Sequence, residues 1–329
     1  MNKTDRVRAV LAGRRPDRPP VSFWYHFGAE RVSGQPAVDA HLSHLETFDL
    51  DFLKVMNDTG YPRDAEVVEN VRDLATLRVY SPEVRQFADQ LAVIGGLANR
   101  LKGQVLMTTT VFNPWAVLRG MLEPPKTRHG PPVMSPMQDS RDEKLSELLR
   151  ADRKAVAQAL QTIGQSLAGF ARACIEAGAD GVFLSVRDDW VDTERNGPGT
   201  YDDLVAPTDR MILEAASAGG FNMLHACGKP LNFDRFANYP NVHVINWADR
   251  AAGPSIAEAK DRVKSAIAAG VDNLGTLATG TPDDVRREVR DALRQAGDRP
   301  ILVTPGCTYD PDAVPAGNLR AMVEAARAL

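Results

Sequence analysis

The sequence predicts an α/β protein, a (β/α)8 TIM barrel in a single domain spanning 1–329, and three observations carry that expectation. Short apolar runs rich in strand-forming residues alternate eight times with stretches of helical periodicity, the rhythm of a parallel sheet covered by helices. The chemistry-bearing residues gather at the C-terminal ends of several of those runs, where a barrel carries its active site. The alternative, a doubly wound sheet, lacks its mark: no Gly-x-Gly-x-x-Gly follows the first run, and no Walker motif occurs.

In chain order, residues 1–19 read as an N-terminal capping helix and turn. Val7, Val10 and Leu11 recur at helical spacing, and Gly13 and a proline- and arginine-rich run stop the helix. The first strand is 20–26, followed by a helix at 36–48, the second strand at 50–56 and a polar loop at 57–62. Residues 63–103 are mixed, with a short strand at 91–94. The third strand, 104–111, is dense in β-formers. A short helix at 113–122 and a loop at 123–136 containing five prolines make 113–140 a lid-like insertion. A long helical stretch with one break, 141–177, leads to the fourth strand at 179–186.

From there the alternation is regular. A helix at 201–218 precedes the fifth strand, which starts at Phe221 and closes in Leu224-His225-Ala226-Cys227-Gly228. A helix at 231–237, the sixth strand at 242–247, a helix at 255–269 and the seventh strand at 273–277 follow. Thr281 caps a helix running to Ala296, with Pro282 at its first position and acids in its first turn. The eighth strand starts at Ile301 and ends in Pro305-Gly306-Cys307, and a helix at 316–329 closes the chain.

A net charge of -4 and a pI near 5.9 give no reason to expect nucleic acid or an anionic membrane as partner. No apolar run approaches the length of a membrane span. Three cysteines cannot complete a disulfide framework, and the Arg-rich start has no apolar core of a secretory signal. A cytoplasmic location, where thiols stay reduced, is the expectation.

His225 and Cys227 are two apart, so on an extended strand their side chains point the same way. Either one alone fits a packed, inert residue. Cys307 at a second strand end adds a further thiol, and one imidazole with two thiolates suits Zn²⁺. Three protein ligands leave a fourth position for substrate, the pattern of a catalytic site.

Other candidates surround this trio. His26, ending the first strand, is a general acid or base, a substrate contact, a fourth ligand or a packed histidine. Asp188 and Asp189 follow the fourth strand, to hold a substrate group, to orient a ligand or to stay solvated. Asp249 and Asn246 lie at the sixth strand end, Asp249 as a catalytic candidate, Asn246 as a substrate contact, and either as a partner orienting His225. Lys54 sits inside an apolar run, paired with an interior carboxylate or facing an anionic substrate. Trp24, Tyr25, Trp115 and Trp190 line a substrate pocket or simply pack. Cys174, within a helix beside Ala173 and Ile175, reads as core.

At His225-Ala226-Cys227-Gly228, Asn246-Trp247-Ala248-Asp249 and Pro305-Gly306-Cys307 the chain resembles the uroporphyrinogen decarboxylase superfamily. Within it, the zinc methyltransferase branch with its His-x-Cys…Cys pattern, to which methylcobamide:coenzyme M methyltransferases belong, is the most similar. The match is strong from about 177 onward and weaker before it. The decarboxylases begin with an Arg-rich Arg-Gln-Ala-Gly-Arg segment that binds substrate carboxylates; here that place reads Trp24-Tyr25-His26-Phe27-Gly28. Without guanidinium forks a polycarboxylate tetrapyrrole is poorly matched. The resemblance therefore implies zinc-dependent methyl transfer between a corrinoid carrier and a small substrate, a thiol or a methoxy or methylthio compound. No Asp-x-His-x-x-Gly corrinoid motif occurs, so the cobalamin would act in trans, free or on a separate protein. A cobalamin-independent thiol alkyltransferase or lyase, a decarboxylase, and a non-catalytic binding protein are the competing readings.

Overall fold

A computed structural model describes residues 1–64, 67–124 and 139–328. At its centre is an all-parallel sheet of seven strands, each beside its sequence neighbour. They are β1 (Phe52–Val55), β2 (Leu106–Phe112), β3 (Gly181–Arg187), β4 (Met223–Cys227), β5 (Val244–Trp247), β6 (Ala266–Val271) and β7 (Ile301–Pro305). Parallel neighbours require crossover connections, and helices packed outside the sheet provide them, Arg153–Glu176 and Pro282–Ala296 among the longest. The sheet curls into the α/β barrel expected from the alternation of strands and helices.

The first expected strand, 20–26, shrinks to a single bridge between Val21 and Val303. The segment still joins the two edges of the sheet. Val303 N–H donates to Pro20 O, and Ser22 N–H to Val303 O, while Asp51 N–H donates to Val21 O and Ser22 Oγ to Phe52 O. Pro19 and Pro20 have no N–H to extend a ladder. Beyond Ser22 the chain leaves the sheet, and Trp24 O accepts from Tyr309 N–H instead.

Two further assignments are corrected. Residues 91–94 lie in the helix Arg85–Leu101, whose buried positions Phe87, Gln90, Val93, Ile94, Leu97 and Leu101 follow a helical stripe. The seventh strand is not 273–277, and the helix expected over 255–269 is only the turn Ile256–Ala259. The strand is β6, and Thr276–Thr279 is helical. Its Ala266-Ile267-Ala268-Ala269 run favours helix by propensity. Burial of every β6 residue between two parallel neighbours overrides that preference.

The break expected within 141–177 falls at Asp152, whose carboxylate caps the second helix by accepting from Lys154 and Ala155 N–H. The stretch 201–218 opens as a wide turn, Tyr201–Val205, before the helix Ala206–Ala215. Of the lid-like insertion, residues 125–138 lie outside the described residues; its start is the helix Pro114–Gly120, capped by Asn113.

Side chains alternate between two cores, as the pleat requires. Leu53, Val55, Leu184, Leu224, Ile245 and Ile267 point outward to the helices. Phe52, Leu106, Phe183, Met223, Val244, Ala266 and Leu302 point into the lumen. Most of these stand at strand starts, so they fill the N-terminal end of the barrel. Val7 and Val10 of the helix Lys3–Leu11 join them and seal that end. Asp51, fully buried, ties the seal together by accepting from Arg6 Nη1 at 2.7 Å, Arg18 Nη1 at 2.7 Å and Val21 N–H at 2.9 Å. The opposite, C-terminal end is left for the site. No described helix is long and apolar enough to cross a membrane.

Candidate metal centre

The inward alternation of β3 and β4 continues past the apolar layer. Phe183, Ser185 and Arg187 on β3, and His225 and Cys227 on β4, line a cavity of about 190 Å³ at the mouth. The register pairs Ser185 with His225 and Arg187 with Cys227. Cys307 enters from the turn after β7, and Trp24, His26, Lys54 and Met56 complete one wall. His225, Cys227 and Cys307 offer ligand atoms that all lie within 4.8 Å of one another. Among the described residues this is the metal-competent group, and His26 is not part of it.

The tautomer of His225 follows from its neighbours. Asn246 Nδ2 sits among acceptors, donating to Ala268 O at 2.8 Å and approaching Thr304 Oγ1 and Pro305 O. That assigns its Oδ1 to the 2.6 Å contact with His225 Nδ1, which must then carry the proton. Nε2 is left as an electron-pair donor, and Cys307 Sγ faces it at 3.4 Å.

Two such donors facing each other need a proton or a cation between them. Zinc at its usual bond lengths would set a nitrogen–sulfur edge of about 3.6 Å in a tetrahedron. The set of one imidazole and two sulfurs, oriented by a buried amide, therefore fits zinc in both chemistry and spacing. Cys307 is held well below the usual thiol range by its interaction with Cys227 and by the His225 imidazole, while Cys227 is pushed up by the same interaction and by burial.

Lys54 is 4% exposed, and no carboxylate lies within ion-pair distance of it among the described residues. Its Nζ contacts Met56 Sδ at 3.1 Å and stands 4.4 Å from the centroid of the Phe183 ring, whose other neighbour is the stacked imidazole of His225. Burial lowers its pKa to about 8. His26 lines the cavity with Nδ1 2.6 Å from Asp58 Oδ1.

The structure separates the remaining candidates. Trp24 and Trp190 line the cavity, whereas Trp115 is buried core and Tyr25 packs on Phe27 and Tyr309. Asn246 is fully buried, with its Oδ1 on His225 Nδ1 and its Nδ2 on Ala268 O. Asp188 and Asp249 do not line the cavity. Asp188 pairs with Arg235 at 2.7 Å, and Asp249 accepts from Gly270 N–H and pairs with Arg250. Burial pushes each carboxyl up to about 6. Both carboxylates are engaged by arginines, Arg235 for Asp188 and Arg250 for Asp249, outside the cavity lining. Cys174 is fully buried core, as expected.

Sequence reasoning missed Arg187 and Asn113 in the lining. Arg187 was within reach, since it continues the alternation of Phe183 and Ser185 along β3. Its guanidinium is held by Asp189 Oδ1 at 2.8 Å and Oδ2 at 2.5 Å, and lies 3.9 Å from the Trp190 ring, with Arg119 against the same ring at 3.9 Å.

Comparison with known proteins adds the lineage. A methyltransferase from Methanosarcina mazei has the same fold, with a TM-score of 0.68 at 17% identity over 99% of this chain and 98% of that one. A B12-independent methionine synthase from Shewanella sp. W3-18-1 matches with a TM-score of 0.44 at 12% identity, over 72% of this chain and 66% of that one. No match is found among curated proteins. Residues 42–329 match the family Uroporphyrinogen decarboxylase (URO-D), and the chain belongs to that family.

Proposed function

We propose that the chain is a zinc-dependent enzyme that moves a methyl group between a corrinoid carrier, acting in trans, and a small thiol, methoxy or methylthio compound. The observation that carries this reading is the convergence of His225, Cys227 and Cys307 within 4.8 Å at the C-terminal mouth of the barrel. Membership of the URO-D family and the resemblance of the His-x-Cys…Cys pattern to zinc methyltransferases support it. Zinc held by these three residues would supply a Lewis acid with one position open, able to favour the ionised form of a thiol at neutral pH.

The chain's own groups have separable roles. Asn246 keeps Nε2 of His225 unprotonated and aimed at the two sulfurs. Trp24, Met56 and Phe183 exclude water from the cavity wall. Lys54, with no carboxylate at ion-pair distance among the described residues, offers its ammonium to the substrate. His26 has Nδ1 committed to Asp58, so its Nε2 is the atom to exchange a proton with substrate. Decarboxylation of a polycarboxylate is poorly supported. Among the described residues the lining cations are Lys54 and Arg187, and Asp189 already occupies Arg187.

The test is a visible-absorbance assay under strictly reducing conditions, following interconversion of methylcobalamin and cob(I)alamin across a panel of thiols, methoxy and methylthio compounds. The expected result is protein- and zinc-dependent exchange with at least one panel member. Alkyl transfer that runs equally well without cobalamin would replace the carrier half of the proposal, and a protein that takes up no zinc would sink the metal half.

A further inference from the structure

Asp189 is used by neither the metal set nor the cavity lining, yet its side chain is 3% exposed and stands between them. Its carboxylate holds Arg187 by two hydrogen bonds and accepts from Lys229 N–H at 3.2 Å. Between Cys227 and Lys229 lies Gly228, with φ +108°, a conformation that disfavours a side chain. A Cβ built on Gly228 would fall 2.4 Å from Asp189 Oδ1 and 2.6 Å from Cγ. The carboxylate therefore rests on the bare Cα of the residue that follows Cys227. It also grips the side chain of Arg187, which β3 places directly opposite Cys227.

We propose that Asp189 is the positioning residue of the site, locking the Cys227–Gly228 turn and the Arg187 guanidinium into one rigid corner, with Gly228 required because the carboxylate fills the place of its side chain. The inference rests on the reading of Cys227 as a metal ligand. A buried carboxylate bonded to a guanidinium and to a backbone N–H is costly to disturb, since removing it leaves the guanidinium buried and uncompensated. A ligand held at a turn depends on such outer supports for its aim.

The experiment uses Asp189→Ala, Asp189→Asn, Gly228→Ala and the double variant Asp189→Ala/Gly228→Ala in the full chain. Zinc affinity is read by chelator competition and folding by melting temperature. Asp189→Ala should weaken zinc about tenfold or more. Asp189→Asn, which keeps the shape and one acceptor oxygen, should recover part of that loss, a rescue that a general loss of stability would not produce. Gly228→Ala should weaken zinc in the parent chain and cost distinctly less in the Asp189→Ala background, where the clashing carboxylate is gone. Unchanged zinc affinity in Asp189→Ala, or an equal Gly228→Ala penalty in both backgrounds, would overturn the proposal. If the parent chain binds no zinc, the metal reading has failed by itself. Asp189 is then judged by the alkylation rate of Cys227 in a Cys174→Ser/Cys307→Ser background. A several-fold change with Asp189→Ala supports the strut, and an unchanged rate overturns it.

Discussion

The two ends of the barrel are built on opposite terms. At the N-terminal end the buried charges of Asp51 and Arg6 are matched. Asp51 faces Arg6 and Arg18, Arg6 also binds Asp17, and the helix Lys3–Leu11 presses Val7 and Val10 over the lumen. At the C-terminal end, a few residues along the same strands, Arg187 and His26 have carboxylate partners, but Lys54 and the His225, Cys227 and Cys307 set do not have such pairs among the described residues. Lys54 has a thioether and aromatic faces but, among the described residues, no carboxylate at ion-pair distance, and two sulfurs converge on an imidazole electron pair. Saturated polar networks rigidify a structure, whereas groups held in place without their partners are poised for a ligand. The division matches the general separation in barrels between a stabilising face and a catalytic face.

The sharpest way to break that comparison is to remove a sulfur from the open end. Serine keeps the shape of cysteine but offers zinc a hard, largely protonated oxygen. Cys227→Ser and Cys307→Ser should each release zinc and abolish turnover while shifting the melting temperature little. Cys174→Ser should keep full zinc content and lose roughly 1–3 kcal/mol of stability, because it buries a hydroxyl in apolar packing. Zinc stoichiometry measured against melting temperature separates the two classes. Retained zinc with lost stability in both mouth variants would make their thiols core residues.

The matching cut at the closed end is Asp51→Ala. It leaves the buried Arg6, still bonded to Asp17, and the half-buried Arg18 around a vacancy and removes the acceptor of Val21 N–H. The expected cost is about 3–5 kcal/mol of unfolding free energy, seen as a lower denaturant midpoint, with zinc stoichiometry unchanged in the protein that remains folded. A loss of zinc at least as steep as the loss of stability would show that the two ends are not separable.

What the sequence made legible follows the same division. His225 and Cys227 could be read because strand alternation is a local rule, and two chemically unusual residues at that spacing stand out. The third candidate ligand, Cys307, stood at the end of a run too β-branched and apolar to be anything but a strand. β6 was missed because nothing local marks Ala266-Ile267-Ala268-Ala269 as extended; its strand state is imposed by β5 and β7 on either side. The partners of the acidic candidates were not legible for a related reason. Asp188, Asp189 and Asp249 all follow strand ends, and a sequence does not say which will find a guanidinium behind the sheet. Asp188 and Asp249 do. Asp189 instead meets Arg187, an arginine of the cavity that lies two residues before it and opposite Cys227.

Lys54 offers the smallest and most telling contrast. It stands on β1 only three residues beyond Asp51, yet one charge is fully compensated and the other is not. Burial lowers its pKa from 10.5 to about 8, so the folded state disfavours the proton that the unfolded chain still binds. Its contribution is therefore unfavourable below pH 8, and the penalty disappears as pH rises from about 8 to 10.5. Lys54→Met replaces the ammonium with an apolar chain of similar length among Met56, Trp24 and Phe183. At pH 7 it should raise stability by about 1–3 kcal/mol. The gain should fade toward pH 10, because the parent chain then folds with the lysine neutral. The same substitution should raise KM for any substrate carrying an acidic group while leaving zinc content intact. A Lys54→Met protein that is less stable than the parent at pH 7, with KM unchanged, would mean that this lysine serves the fold after all, and that the open end begins above it.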